Sequence, residues 1–389
     1  MDDPTDALLA LILAGGALAP RHALARSRPT LAAALHAGPA AWRQAGCTPA
    51  QRRRLACPDR ATMHAAQAWL ASPGHHLLAF ADERFPPLLR AVPDPPLALF
   101  VHGDPLRLWL PSVAVVGSRS PTPTGRALAA EFSGAFVRAG LAVASGLAAG
   151  VDACAHQAAL DAGGTTVAVI GNGPDIVYPP HHVGLQAAVA ADGALASEYL
   201  PGTPARPGHF PARNRLVAGL ALATVVIEAA NRSGALITAR LAAEAGREVC
   251  ALPGSVRNPR AAGCHRLIRD GAALVETPEE VLAMIRPALV EALPALRRRL
   301  RAPTEQGRRI RLPASLASDP DYQTLWKALD HDPTPMDSLS ARSGLTAAQL
   351  SSMLLAMELA GIVVCEHGRY CRNPGFPTST ASLTQAEGQ

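Results

Sequence analysis

The sequence predicts an α/β protein, with a doubly wound parallel sheet in the middle of the chain, a small helical domain before it and a winged-helix unit after it. Three observations carry this. From Ser112 to Val275 short β-branched runs alternate with helical patterns, as parallel strands joined by crossover helices require. The runs end in turns of small residues, where backbone approaches backbone. From Tyr322 to Arg372 the order is helix, helix, turn, helix and hairpin, which is that of a winged helix.

A chain of 389 residues exceeds one ordinary domain. The expected division is a helical domain at 1–80, the sheet domain at 85–285, a basic flexible linker at 286–318, the winged helix at 319–374 and a disordered tail at 375–389. No apolar stretch approaches about 18 residues without Gly, Pro or charge, and no leader pattern opens the chain, so a soluble cytoplasmic protein with no membrane partner is expected. The seven cysteines are scattered and never spaced C-x-x-C, which supports neither a disulfide framework nor a zinc site. His181-His182 is a lone pair in a loop, and no metal is expected there.

Along the N-terminal domain, Asp6–Ala14, Thr30–His36, Pro39–Ala45, Thr48–Ala56 and Thr62–Leu70 read as short helices parted by Gly, Pro or Ser-Pro breaks. The segment Phe85–Asp104 is too rich in proline for a helix and is expected to lie extended along the next domain. Strands then follow at Val113–Val116, Leu141–Ala144, Thr166–Ile170, Ala194–Ala196, Ala223–Ile227, Glu248–Ala251 and Ala273–Val275. Between them lie helical patterns at Gly125–Ala139, Val151–Ala162, His182–Ala190, Arg213–Gly219, Ala235–Gly246 and Cys264–Asp270. Ligands of such a sheet bind at the carboxyl ends of its strands.

Charge is modestly positive in sum, +5, but unevenly placed. Arg286, Arg297, Arg298, Arg299, Arg301, Arg308, Arg309 and Arg311 face only Glu291 and Glu305 in the expected linker. Lys327 is the sole lysine, so arginine carries nearly all positive charge, and arginine both forks phosphate and stacks on bases. The third helix of the winged unit, Ala347–Ala360, carries no Arg or Lys and a Met/Leu-rich face. Protein contact is therefore favoured over duplex reading.

The chemistry gathers at the strand ends. His209–Ala239 places Phe210, Arg213, Asn214 and Arg215 before an apolar strand and then a Ser233-Gly234 pair opening a helix. Exposed N–H groups and the helix dipole there favour anions, the aromatic ring can stack on a base, and the arginines can hold phosphates. The first strand ends in Gly117-Ser118-Arg119 and the second in Ser145-Gly146, where small residues permit close approach. Asp152 is placed to cap or polarise that second turn, while His156 reads as an ordinary helix residue, packed or exposed, rather than a base. A third tight loop, Gly171–Asp175 with Tyr178-Pro179 beyond it, lies on the same edge. There is no G-x-G-x-x-G, no Walker lysine, no paired carboxylates and no nucleophile elbow, so no cofactor and no catalytic residue are expected.

The strings VAVVGSRSPTPTG, ASGLAAGVDACAHQAAL, GNGPDIVYP, SEYLPGTPARPGHFPARNRLVAGL, VVIEAANRSGALITARLAAEAGREVCALPGS and GCHRLIRDGA resemble, in order and spacing, the DNA-processing protein A (DprA/Smf) family over the whole central domain. The resemblance implies an extended Rossmann-like core that binds single-stranded DNA in natural transformation, protects the incoming strand and loads RecA recombinase onto it, without enzymatic turnover. It also implies a homodimer, for which Cys250 beside the helix Ala235–Gly246 offers close packing. Gly117, Ser118, Arg119, Ser145, Gly146, Phe210, Arg213, Asn214, Arg215, Ser233 and Gly234 are then the expected DNA-binding residues. The rival readings are a nucleotide phosphoribohydrolase on a related fold, whose doubled glycines and glutamate are missing at Asn231–Thr238, a nicotinamide oxidoreductase, and a duplex-binding regulator acting through the winged helix.

Overall fold

The computed structural model describes residues 3–301, 319–330, 332–359, 362–366 and 369–373. The expected tail and residues 302–318 of the expected linker lie outside the described residues.

The N-terminal helices are α1 (Pro4–Leu13), α2 (Leu18–Arg26), α3 (Leu31–His36), α4 (Gly38–Gln44), α5 (Pro49–Ala56) and α6 (Arg60–Leu70). Side chains of Asp3, Thr30, Thr48 and Asp59 cap four of them by accepting orphan N–H groups. Helix α2 was not anticipated, because Ala17 before it offers no capping side chain. The helical domain is joined to the sheet through Phe100, which is packed with Leu9, Met63 and Ala66.

The sheet holds nine strands in the order β1-β2-β6-β5-β4-β3-β7-β8-β9. These are β1 (His75–Ala79), β2 (Ala98–Gly103), β3 (Ser112–Val116), β4 (Ala142–Ser145), β5 (Thr166–Ile170), β6 (Ala194–Ser197), β7 (Ala223–Val226), β8 (Glu248–Ala251) and β9 (Ala273–Leu274). Strands β3 to β9 are parallel, whereas β1 and β2 add an antiparallel edge, with Phe100 opposite Ser197. The proline-rich connection is thus partly sheet. Its prolines are confined to the turn and the short helix α7 (Pro87–Arg90), which leaves β2 free to donate its N–H groups.

The crossover helices are α8 (Pro123–Arg138), α9 (Val151–Asp161), α10 (Val183–Asp192), α11 (His209–Leu220), α12 (Gly234–Glu244) and α13 (Ala262–Arg269). Helix α11 begins four residues before the expected Arg213. Pro211 sits in its first turn, where a missing N–H costs nothing. Side-chain alternation splits β3 between two cores. Val113 and Val115 join Phe132, Phe136 and Val143 on one face, while Ala114 and Val116 join Leu216, Val217 and Leu220 on the other. Both faces are buried, as parallel strands require.

Helix α14 (Pro278–Arg301) runs through the first part of the expected linker, so residues 286–301 are helical rather than a flexible tether. Beyond it lie α15 (Pro320–Ala328), α16 (Met336–Ser343), α17 (Ala347–Leu359) and a small sheet of β10 (Thr334–Pro335), β12 (Arg369–Arg372) and β11 (Val363–Glu366). Leu350, Met353, Leu354 and Met357 of α17 fill the winged-helix core. Its other face meets the central domain. Leu355 packs against the core that contains Phe132 and Val143, and a Cβ on Gly140 would lie 2.8 Å from the Ala356 methyl. Tyr322 Oη donates to the Arg138 carbonyl at 3.2 Å and Arg286 Nη2 to Ser351 Oγ at 3.4 Å. The favoured expectation for α17 was protein contact, and its contact here is with this chain.

Candidate nucleic-acid interface

The strand order reverses between β3 and β7, and the carboxyl ends of β3, β4 and β5 border one crevice beside that point. A pocket of about 160 Å³ opens there, lined among others by Arg119, Gly146, Gly171, Asn172, Tyr178, Phe210 and Arg213. Four separate segments of chain contribute to it.

Its wall is aromatic. The Tyr178 and Phe210 rings lie 5.2 Å apart at an interplanar angle of 32°, with Tyr178 exposed at 42%. The exposed Arg119 guanidinium stands 5.8 Å from the Phe210 centroid, within cation–π range. Behind them His209 stacks on Tyr199 at 4.0 Å and 14°, and its Nδ1 lies 3.0 Å from the Gly171 carbonyl, which fixes the start of α11 against the end of β5. A partly exposed ring beside a free cation offers one face to an unpaired base and one charge to its phosphate.

Beneath the pocket lies a buried charge cluster. Arg213 is 4% exposed and donates from Nη1 to the Val169 carbonyl, while its Nε finds no acceptor. A Cβ on Gly146 would overlap this guanidinium, so any larger residue there would have to displace Arg213. Burial pulls the Arg213 pKa down to about 10, with Asp152 acting in the opposite direction. Asp152 accepts N–H bonds from Gly146 at 3.1 Å and Ala148 at 3.4 Å, which is the capping role expected of it; burial raises its pKa against the pull of Arg213. His156 is fully buried with Nδ1 2.6 Å from Thr166 Oγ1, and burial, with Arg213 and His182 adding to it, lowers its pKa to about 3.

Several expected contact residues turn inward. Ser145 is completely buried and its hydroxyl donates to the Val115 carbonyl at 2.7 Å, joining β4 to β3. Arg215 is not a free cation, because Glu198 holds it at 2.6 Å and Asp94 at 3.6 Å. Gly117 is required by packing, since a Cβ there would meet Val151 at 2.7 Å, and the Ser118 carbonyl accepts the Val151 N–H. Asn214 donates to the Gly234 carbonyl at 3.3 Å and so ties α11 to the start of α12, where Ser233 is the N-cap and Gly234 is exposed. Cys250, expected to suit a partner copy, is wholly buried beside Met284 in the chain's own core.

Other contributors were not singled out from the sequence. Arg206, Arg232 and Arg257 are exposed and stand in the loops after β6, β7 and β8, on the same edge as Arg119. Only the parallel register brings these four arginines into a row. Glu228, at the end of β7, is a buried carboxylate bonded to Thr122 and Asn258. Among the described residues no cluster of His, Cys, Asp or Glu could hold a metal ion, and no helix is long and apolar enough to cross a membrane.

Comparison with known proteins places the chain among its relatives. A family model described as DNA recombination-mediator protein A matches residues 76–286, and a second, described as the DprA winged helix domain, matches residues 311–369. Protein Smf of Escherichia coli is 38% identical over 330 residues, covering 85% of this chain and 86% of that protein. DNA processing protein DprA of Streptococcus pneumoniae is 45% identical over 202 residues, covering 52% of this chain and 71% of that protein. The X-ray structure of the DNA processing protein A from Streptococcus pneumoniae superposes with a TM-score of 0.64 at 34% identity, over 73% of this chain and 98% of that one.

Proposed function

Because the chain belongs to the DNA-processing protein A (DprA/Smf) family, we propose that it binds single-stranded DNA along the carboxyl edge of its sheet, without chemical turnover, and delivers the strand to RecA recombinase during natural transformation. The observation that carries the reading is the Arg119–Phe210–Tyr178 wall beside an open pocket. An aromatic face needs an unstacked base, which a duplex does not offer without melting. Arg206, Arg232 and Arg257 continue the positive charge past the pocket, as the backbone of a strand would need.

Delivery to the recombinase draws its support from the family's description as a recombination mediator. A homodimer would serve it by holding two pockets on one strand, since linked sites raise effective concentration without new contacts. The test is equilibrium binding of a single strand and a duplex of equal length across a salt series. It is followed by RecA nucleation on a strand already coated with single-strand binding protein, with and without this chain, and by light scattering of the free protein. Equal affinity for both DNA forms sinks the single-strand reading, and unchanged nucleation sinks the delivery step.

A further inference from the structure

In a doubly wound sheet, the helix that follows the strand at the reversal point presents its amino end to a phosphate, because its N–H groups are unpaired and its dipole favours negative charge. Here that helix is α8, and its amino end already holds an anion. The Glu228 side chain reaches across from the end of β7. One carboxylate oxygen accepts the Thr122 N–H at 2.9 Å, and the other accepts the Thr122 hydroxyl at 2.6 Å and Asn258 Nδ2 at 3.3 Å. The residue is only 7% exposed.

Two details show that the helix is built around this group. A Cβ on Gly125, in the first turn, would lie 2.6 Å from the Glu228 carboxyl carbon, so the turn is cut back to admit it. Among the described residues Glu228 forms no ion pair. Its charge is met by neutral donors and the helix end alone, which is how such sites hold phosphate.

We propose that Glu228 is a built-in anion that fills the phosphate seat of this fold and thereby sets ligand specificity. With the seat closed, the phosphates of free nucleotides and dinucleotides are refused at the reversal point. Phosphates are left to the arginine-bearing edge on either side. Only this last clause rests on the single-strand reading above; the seat itself is defined by its own donors.

The test uses the full chain, Glu228→Ala and Glu228→Gln, with thermal midpoints read in inorganic phosphate, pyrophosphate and acetate against chloride of equal ionic strength. Glu228→Ala empties the seat, and its midpoint is expected to rise saturably by at least about 3 °C in phosphate, with acetate giving a smaller rescue. The parent, whose seat carries charge, and Glu228→Gln, whose seat is filled by a neutral isostere, are expected to show no anion-specific shift. A parent as responsive as Glu228→Ala overturns the proposal. So does a Glu228→Ala chain whose midpoint is unmoved, or whose lost folding neither phosphate nor acetate restores. Single-strand affinity is measured on the same samples, so its absence in the parent would overturn the previous reading and leave the anion result standing.

Discussion

The guanidinium carbon of Arg119 lies 5.8 Å from the centre of the Phe210 ring, although 90 residues of chain separate them. The two should fail differently when removed. Phe210→Ala should cost about 1–3 kcal/mol of single-strand affinity and leave its salt dependence intact, because stacking releases no counterions. Arg119→Ala should flatten the slope of log K against log salt by about 0.7. If all four edge arginines touch phosphate, the parent slope should be near about −3 by the same rule. Fluorescence anisotropy at several salt concentrations separates these outcomes, and an unchanged slope for Arg119→Ala would assign that residue a purely structural place.

Arg213 should behave as a residue of the fold. Removing it takes the donor from the buried Val169 carbonyl and the favourable guanidinium charge from buried Asp152, a loss on the order of 1–3 kcal/mol. Arg213→Ala should therefore lower the urea midpoint sharply, and its salt slope, where the variant still binds, should match the parent's. A stable variant with a flattened slope would instead show that the guanidinium reaches the DNA.

His156 makes stability depend on pH in a definite direction. The unfolded residue takes up a proton below about pH 6.5, whereas the buried ring, facing Arg213 and His182, does so only near 3. Between those values the unfolded chain binds more protons, so stability is present above about pH 6.5 and is lost as pH falls toward 3. The loss from this residue is at most about 1.4 kcal/mol per pH unit. Urea unfolding between pH 7 and 5 should show a shallower decline in His156→Gln, even though that variant starts from a lower midpoint. Parallel curves for the two chains would refute the assignment.

The winged helix should act through its docking face. Leu355→Asp places a carboxylate in the apolar contact with the central domain and should cost about 1–3 kcal/mol, read as a lower unfolding midpoint. Duplex affinity should stay unchanged, since α17 carries no Arg or Lys to read a groove. A rise in duplex affinity on undocking would instead mark the contact as a brake on a duplex reader.

Much of this protein could be read directly from its residues. The alternation of apolar runs and helical patterns placed β3 to β9 to within a residue at each end, and in β3 to β7 burial on both faces leaves a strong local pattern. The motifs around Arg119 and Gly146 were legible because each follows a strand end, where the fold places ligands, and Phe210 because an aromatic residue stands beside arginines in one short stretch. What the sequence could not decide was which way each side chain faces. Arg119, Arg213 and Arg215 look alike as arginines, yet one is exposed over a ring, one is buried under the pocket, and one is held by Glu198 and Asp94. That outcome depends on neighbours brought in from other strands. The antiparallel edge of β1 and β2, the row formed by Arg206, Arg232 and Arg257, and the seating of Glu228 on the first turn of α8 are likewise matters of tertiary structure. They arise from pairings between segments remote in sequence, for which no local periodicity exists to be read.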